Sequence, residues 1–413
     1  MAARPKLFGY ENALLLMMCL CNGVVALDRL TTNFLAKPIQ DAFHLSNAQL
    51  GLLASALSIV IAPSGFLVAA LADSTRQRKL ILLIALFAFS IFSALPAVVF
   101  AYPLLLGSRL LLGAAEGPIL PVAQSVMAME SSPARRGFNM GIMQNLGAAG
   151  LGVMLGPILF SELATRFGWR AAFLASGVPG VLLVVALMAW MRPVKEPAAA
   201  TAHAPGSEGR IGEVLKSRNL QICVAIAGLF SAWLLVQGVF LALYLQTKDG
   251  LSLREAGRLI AITGVSQLVA GTVVPALSDK IGRKPALFAL CAIGVLAPVL
   301  TVLTPGSSPL LGVALFVGWL GGGAGPLYVS IIPSESVPPR HAATAIAVSL
   351  ASGEIVGGVV APALAGRAAD LFGLAAPFWI TAAAAAICAV LTLFLKETAP
   401  RRQPGAALAD LQP

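Results

Sequence analysis

Ala70-Leu-Ala-Asp73-Ser-Thr-Arg76-Gln-Arg78-Lys79 and Ala276-Leu-Ser-Asp279-Lys-Ile-Gly282-Arg283-Lys284 are the two stretches that decide how this chain is read. Each closes an apolar run with an aspartate, turns through a basic pair and opens another apolar run. The copies stand 205 or 206 residues apart. Glu130-Ser-Ser-Pro-Ala-Arg135 answers Glu335-Ser-Val-Pro-Pro-Arg340 at the same offset. Pro157, Phe167-Gly168 and Phe173 answer Pro362, Phe372-Gly373 and Phe378. One match is chance. Several at a common offset mark a duplicated unit.

Around these loops the chain is poor in charge. Of 413 residues, 58% are hydrophobic and 11% are Asp, Glu, Lys or Arg. A soluble fold cannot cover its surface with so few charges. The net charge of +10 sits in short clusters between apolar runs, not in one patch, which excludes a nucleic-acid binder. Stretches long enough to cross a bilayer fall near 12–36, 49–72, 79–101, 103–128, 137–164, 170–191, 219–246, 256–277, 286–304, 309–333, 341–368 and 375–395. The first, with no small-residue cleavage site after it, reads as a retained transmembrane helix. The expected fold is therefore all-α and membrane-embedded, with twelve transmembrane helices in two six-helix pseudo-symmetric halves.

The segment 192–218 interrupts the pattern with Pro, Ala, Gly and mixed charge. It reads as a polar linker. The expected domains are thus a bundle over 1–191, the linker over 192–218, a second bundle over 219–397 and a polar tail over 398–413. With the N-terminus inside, the cytoplasmic segments collect most of the Lys and Arg: Arg4, Lys6, Arg76, Arg78, Lys79, Arg135, Arg136, Arg192, Lys195, Arg210, Lys216, Arg218, Lys280, Arg283, Lys284, Arg340, Lys396, Arg401 and Arg402. Both termini and the linker are expected on the cytoplasmic side of a cell (inner) membrane.

The loops resemble the signature between the second and third helices of the major facilitator superfamily. The first copy lacks both of the glycines that the family places there; the second keeps Gly282. The resemblance covers about residues 10–397. It implies alternating access between two halves, with a cytoplasmic gate made here by Asp73, Arg78, Lys79, Asp279, Arg283, Lys284, Glu130, Arg135, Glu335 and Arg340. A carboxylate beside cations and helix ends makes a latch that can be broken. A narrower resemblance is carried by Asp28-Arg29, by Arg109-Leu-Leu-Leu-Gly113-Ala-Ala-Glu116-Gly117 and by Gly168-Trp169-Arg170-Ala-Ala-Phe173. These are similar to the anion:cation symporters, which include sugar-acid transporters and the sialin and vesicular glutamate carriers. Spinster-like lipid carriers share the Asp-Arg and the Glu.

Each charge inside a span is costly, about 2.5–3.5 kcal/mol on insertion scales, and persists when paired or hydrated. Asp28, Arg29, Arg109 and Glu116 are two acids and two bases. Arg109 and Glu116, seven apart, share one helix face; Asp28 and Arg29 point about 100° apart. One arrangement satisfies all four: Asp28 bonds Arg109, Arg29 faces a cavity, and Glu116 is left without an obligatory partner, as a proton carrier requires. Gly113 between them leaves room for a neighbour or a substrate. Expected roles are proton coupling by Glu116, Asp28 and Glu354, and substrate binding by Arg29 and Arg109. Gln144, Asn145, Asn33, Gln237, Tyr244 and Tyr328 are further candidate substrate contacts, with interhelical hydrogen bonding the equal alternative. Asn22, Gln124 and Gln267 share that choice. Glu354 is either a second proton site or a paired acid near a helix end. Trp233 and Trp379 are expected in an interfacial belt.

Cys19, Cys21, Cys223, Cys291 and Cys388 lie in apolar runs and are expected as buried free thiols. His44, His203 and His341 are too dispersed for a metal site. With no nucleophile–base set and no nucleotide loop, an enzyme is excluded. No cofactor is expected, and the driving force is a proton gradient. The expected function is proton-coupled import of a small organic anion by a monomer in a lipid bilayer. The alternative is proton-coupled efflux, or a spinster-like lysolipid carrier.

Overall fold

A computed structural model describes residues 9–132, 135–194, 211–306, 308–338 and 341–399. Most of the linker and the tail lie outside this set. Among the described residues, eleven helices are long and apolar enough to cross a membrane. They are α1 (Tyr10–Phe34), α2 (Asn47–Ala72), α3 (Arg78–Ala97), α4 (Tyr102–Glu130), α5 (Phe138–Phe167), α6 (Trp169–Trp190), α7 (Arg218–Thr247), α8 (Leu253–Ile281), α9 (Arg283–Leu303), α10 (Pro309–Glu335) and α11 (Ala342–Phe372). A shorter apolar helix, α12 (Ala376–Thr392), completes the twelve. Each answers one expected span. Phe66, Leu67, Leu182 and Leu364 face outward and are exposed, the reverse of a soluble fold and the mark of a surface meant for lipid.

Two compact units emerge. The first holds the described residues of Met1–Leu45, Ala56–Ala200 and Leu253–Gly264; the second holds those of Ser46–Ser55, Thr201–Ser252 and Val265–Pro413. In the first, Met18, Leu82, Phe89, Leu112, Ile119 and Met127 form a core shared by α1, α3 and α4. The first turns of α8 belong to this unit, where Arg254 pairs with Glu162 of α5 at 2.7 Å. The first turns of α2 belong to the second unit. There Asp370 of α11 accepts from the backbone N–H groups of Asn47 and Ala48 at 2.8 and 2.9 Å, satisfying donors that a helix start leaves orphaned.

The repeat extends to backbone detail. Gly168 and Gly373 both take positive φ, 84° and 87°, between α5 and α6 and between α11 and α12. Leu146–Leu155 of α5 and Gly353–Val360 of α11 both wind with wider π-type turns. These stretches are rich in Gly and Ala, so a neighbour comes close: α1 lies on the first and α7 on the second. A Cβ on Gly147 would fall closer than 3.0 Å to the Cys19 carbonyl oxygen, and one on Gly357 just as close to Ser231. Gly147→Val is therefore expected to cost about 1–3 kcal/mol of stability. Gly141→Val, where a Cβ meets nothing within 4 Å, should leave the melting temperature of the solubilised protein unchanged.

All five cysteines are buried free thiols. Trp233 departs from expectation. It is fully buried, stacks on Phe230 with centroids 4.8 Å apart and donates its N–H to the Gly294 carbonyl at 2.9 Å. The reason is that it lies mid-helix on the inner face of α7, whereas Trp379 near the start of α12 is 47% exposed, as a belt residue should be.

Candidate functional site

The first unit gathers all four intramembrane charges of α1 and α4. Asp28 and Arg109 are 0% and 1% exposed, and Glu116 4%. Their pairing is not the expected one. Arg29 Nη2 meets Glu116 Oε1 at 2.7 Å, so Glu116 has a partner. Arg109 Nη1 donates to Thr32 Oγ1 at 2.7 Å, not to Asp28. Asp28 instead accepts from Ser93 of α3, whose hydroxyl lies 2.7 Å from that of Ser176 on α6. Asp28 and Arg109 attract each other electrostatically without a direct bond. The helix geometry explains the exchange. Residues 29 and 32 lie one turn apart on one face of α1, and they meet 116 and 109 on an α4 that runs the other way. Long guanidinium side chains span the remaining offset in height. Asp28, about 100° round from Arg29, is turned toward the hydroxyls of α3 and α6.

Two further contacts hold the cluster. The Arg109 guanidinium stands 5.6 Å from the Phe173 ring centroid, a cation–π contact that helps a buried cation in an apolar setting. Gly113 admits a neighbour rather than a substrate: a Cβ there would fall 2.5 Å from the Leu57 carbonyl oxygen of α2. Several polar atoms in this cluster remain unsatisfied. Asp28 Oδ2, Arg109 Nε and Arg109 Nη2 are buried without hydrogen-bond partners. Such groups are costly to leave unmade and are common where a site has work to do. Arg29 keeps 30% of its side chain exposed and is the accessible member.

The other candidates are scattered. On α5, Gln144 is exposed and Asn145 half-buried; Asn33 on α1 is half-buried. Asn22 serves packing, donating to the Met143 and Gln144 carbonyls at 3.0 and 2.9 Å. In the second unit Gln237 is 1% exposed, reaches only the Trp233 carbonyl of its own helix at 3.5 Å, and leaves Oε1 without a partner. Tyr328 is buried against Phe230, and Tyr244 lies edge-on to Phe378. Glu354 sits half-buried in the wide turns of α11 with Oε2 unsatisfied. Thr32, Ser93 and Ser176 are the contributors that sequence reasoning missed. The one available signal was a hydroxyl at mid-span in an apolar helix.

The loop residues split by unit. In the second, Arg283 bonds Asp279 at 2.6 Å and Glu335 at 3.2 Å. Lys284 Nζ donates to the Leu393 carbonyl at 2.7 Å. Glu397, not singled out from the sequence, receives the backbone N–H groups of Arg283 and Lys284 at the start of α9, and those of Thr398 and Ala399. Burial alone would raise its pKa, but these four donors outweigh it and hold the carboxyl below the usual range. In the first unit Arg78 Nε donates to Ser125 Oγ at 3.0 Å, and Lys79 bonds the Met188 and Met191 carbonyls. Here Glu11 takes the central place, accepting from Ser132 and Asn139, while Glu130 and Arg135 are half-buried. The Asp73 side chain and Arg340 lie outside the described residues.

Known proteins share this design. The family model of the Major Facilitator Superfamily matches residues 18–353 and 244–412. The hexuronate transporter of Bacillus subtilis is 26% identical over 405 residues, covering 92% of this chain and 93% of its own. The 3-(3-hydroxy-phenyl)propionate transporter of Escherichia coli is 25% identical, covering 86% and 87%. Among solved structures, a bacterial homolog of the human lysosomal transporter Spinster, inward-facing and occupied, superposes with a TM-score of 0.75. It is 19% identical and covers 94% of this chain and 97% of that one, a likeness of fold alone. The twelve helices, the repeated loops and the family match lead to one conclusion: the chain is a multi-pass membrane protein that belongs to the major facilitator superfamily and is not an enzyme.

Proposed function

We propose that the protein is a proton-coupled importer of a small organic monoanion, of the sugar-acid or aromatic-acid class, working as a monomer by alternating access. The Arg29–Glu116 pair at 2.7 Å carries this reading. A guanidinium holding a carboxylate of its own protein is a ready site for a carboxylate from outside. Protonation of Glu116 neutralises it and releases Arg29. The substrate carboxylate then takes the vacated donors of the Arg29 guanidinium. Loss of the proton on the far side restores the internal pair and expels the anion. Arg109 stays compensated throughout by Asp28, which Ser93 and Ser176 hold in place, so Arg29 is the binding residue and Arg109 its neighbour. The two relatives named above are described as carriers of carboxylates, which agrees with a single cationic anchor. The Lys and Arg distribution supports a cytoplasmic location for both termini at the inner membrane, with the loop ion pairs as the cytoplasmic gate.

The test is proton uptake on binding. Purified protein in weak buffer receives galacturonate or 3-(3-hydroxyphenyl)propionate while pH and melting temperature are followed. Binding of either acid is expected to raise the melting temperature and to take up about one proton per anion. Arg29→Ala should lose both effects. Anion binding without proton uptake overturns the coupling. A shift given by lysophospholipid and by no organic acid overturns the substrate class.

A further inference from the structure

A second polar–apolar site lies away from the charge cluster, where α1 begins and α6 ends. A cleft of about 210 Å³ is lined by Tyr10, Ala13, Leu14, Met17, Trp190 and Arg192. One wall is aliphatic. The other is an aromatic ring beside a cation. Arg192 is fixed there from two directions: its backbone N–H donates to Tyr10 Oη at 3.1 Å, and its guanidinium stands 4.6 Å from the Tyr10 ring centroid. The guanidinium is exposed and bonds no carboxylate among the described residues; Glu130, whose charge reaches Tyr10, does not pair with it. Lys79 adds a second cation at the same end of α6 through the Met188 and Met191 carbonyls.

The setting says what fits. Trp190 is 70% exposed, and Leu182, Val185 and Met188 continue the exposed apolar flank of α6 toward the membrane interior. Leu16 does the same on α1. A cation at the end of such a flank, with a Trp beside it, marks the headgroup level of the bilayer. The ligand therefore needs a negative group for Arg192 and a chain for the apolar flank. We propose that this cleft binds an anionic phospholipid of the adjoining leaflet, its phosphate on Arg192 and its first acyl segment along Met17 and Trp190.

The experiment measures thermal stability and lipid retention of the detergent-purified full chain with phosphatidylglycerol, phosphatidylcholine or inorganic phosphate. Phosphatidylglycerol is expected to stabilise and to be retained best, with inorganic phosphate inert at equal concentration. Arg192→Gln should weaken phosphatidylglycerol binding by about fivefold, the share of one basic residue near an anionic surface. Arg192→Lys should keep most of it, and Trp190→Ala should lower it by removing a wall. Arg170→Gln is the control, because Arg170 lies 4.3 Å from the Trp169 ring at the other end of α6 in a similar cation–π pair. Equal loss in Arg170→Gln, no loss in Arg192→Gln, or an equal effect from inorganic phosphate overturns the proposal.

Discussion

Glu116→Gln is expected to abolish proton-driven accumulation while leaving substrate exchange intact. The amide matches the carboxyl in size and can still accept from Arg29, but it carries no charge. It therefore imitates the protonated state, in which Arg29 is released to the substrate. In proteoliposomes with an imposed pH gradient, uphill uptake should fall by at least about tenfold, since the group proposed to carry the proton is gone. Counterflow down a substrate gradient needs no proton step and should stay near wild type. The pH dependence gives an independent check. If each bound anion brings a proton to Glu116, as proposed, affinity in the native protein should rise as pH falls and weaken as pH rises. In Glu116→Gln that slope should vanish. Unchanged accumulation, or a slope that survives, removes Glu116 from the coupling role.

Asp28→Asn should strike stability instead. Asp28 is the buried charge that compensates Arg109, which is itself 1% exposed and bonded only to the neutral Thr32. Removing one partner of a buried charge set costs about 3–5 kcal/mol, because the other charge stays buried without compensation. The melting temperature should fall accordingly. Adding Arg109→Met to Asp28→Asn should recover part of the loss, since it removes the stranded cation. The double-mutant cycle then reports a coupling between two residues that share no hydrogen bond. Purely additive losses would mean that the Ser93 and Ser176 bonds, not Arg109, set the role of Asp28.

Much of the fold was legible because the bilayer imposes a length. Twenty apolar residues between basic loops admit few readings, and each expected span answers one helix to within a few residues. The site was legible in its members and not in its pairing. The sequence places the charges Asp28, Arg29, Arg109 and Glu116 inside apolar spans, and helical spacing gives their directions. Which acid meets which base depends on the heights at which α1 and α4 cross, and that lies beyond a one-dimensional reading. Ser93 and Ser176 stayed hidden because a lone hydroxyl in an apolar helix resembles any small packing residue. Trp233 was misplaced for a related reason, since an indole suits a buried aromatic stack as well as an interface. The wide turns at 146–155 and 353–360 also shift the phase of any simple helical projection beyond them.

The four charges of the first unit also bear on the membrane potential. With both acids ionised, Asp28, Arg29, Arg109 and Glu116 sum to zero. On the proposed coupling one proton and one monoanion enter together, so the loaded cluster sums to zero as well. Neither the empty nor the loaded protein then moves net charge across the bilayer as it turns, and voltage does no work on either passage. Under that coupling accumulation is set by the difference in acidity between the two compartments, and an electrically polarised cell at uniform pH should gain nothing from this carrier.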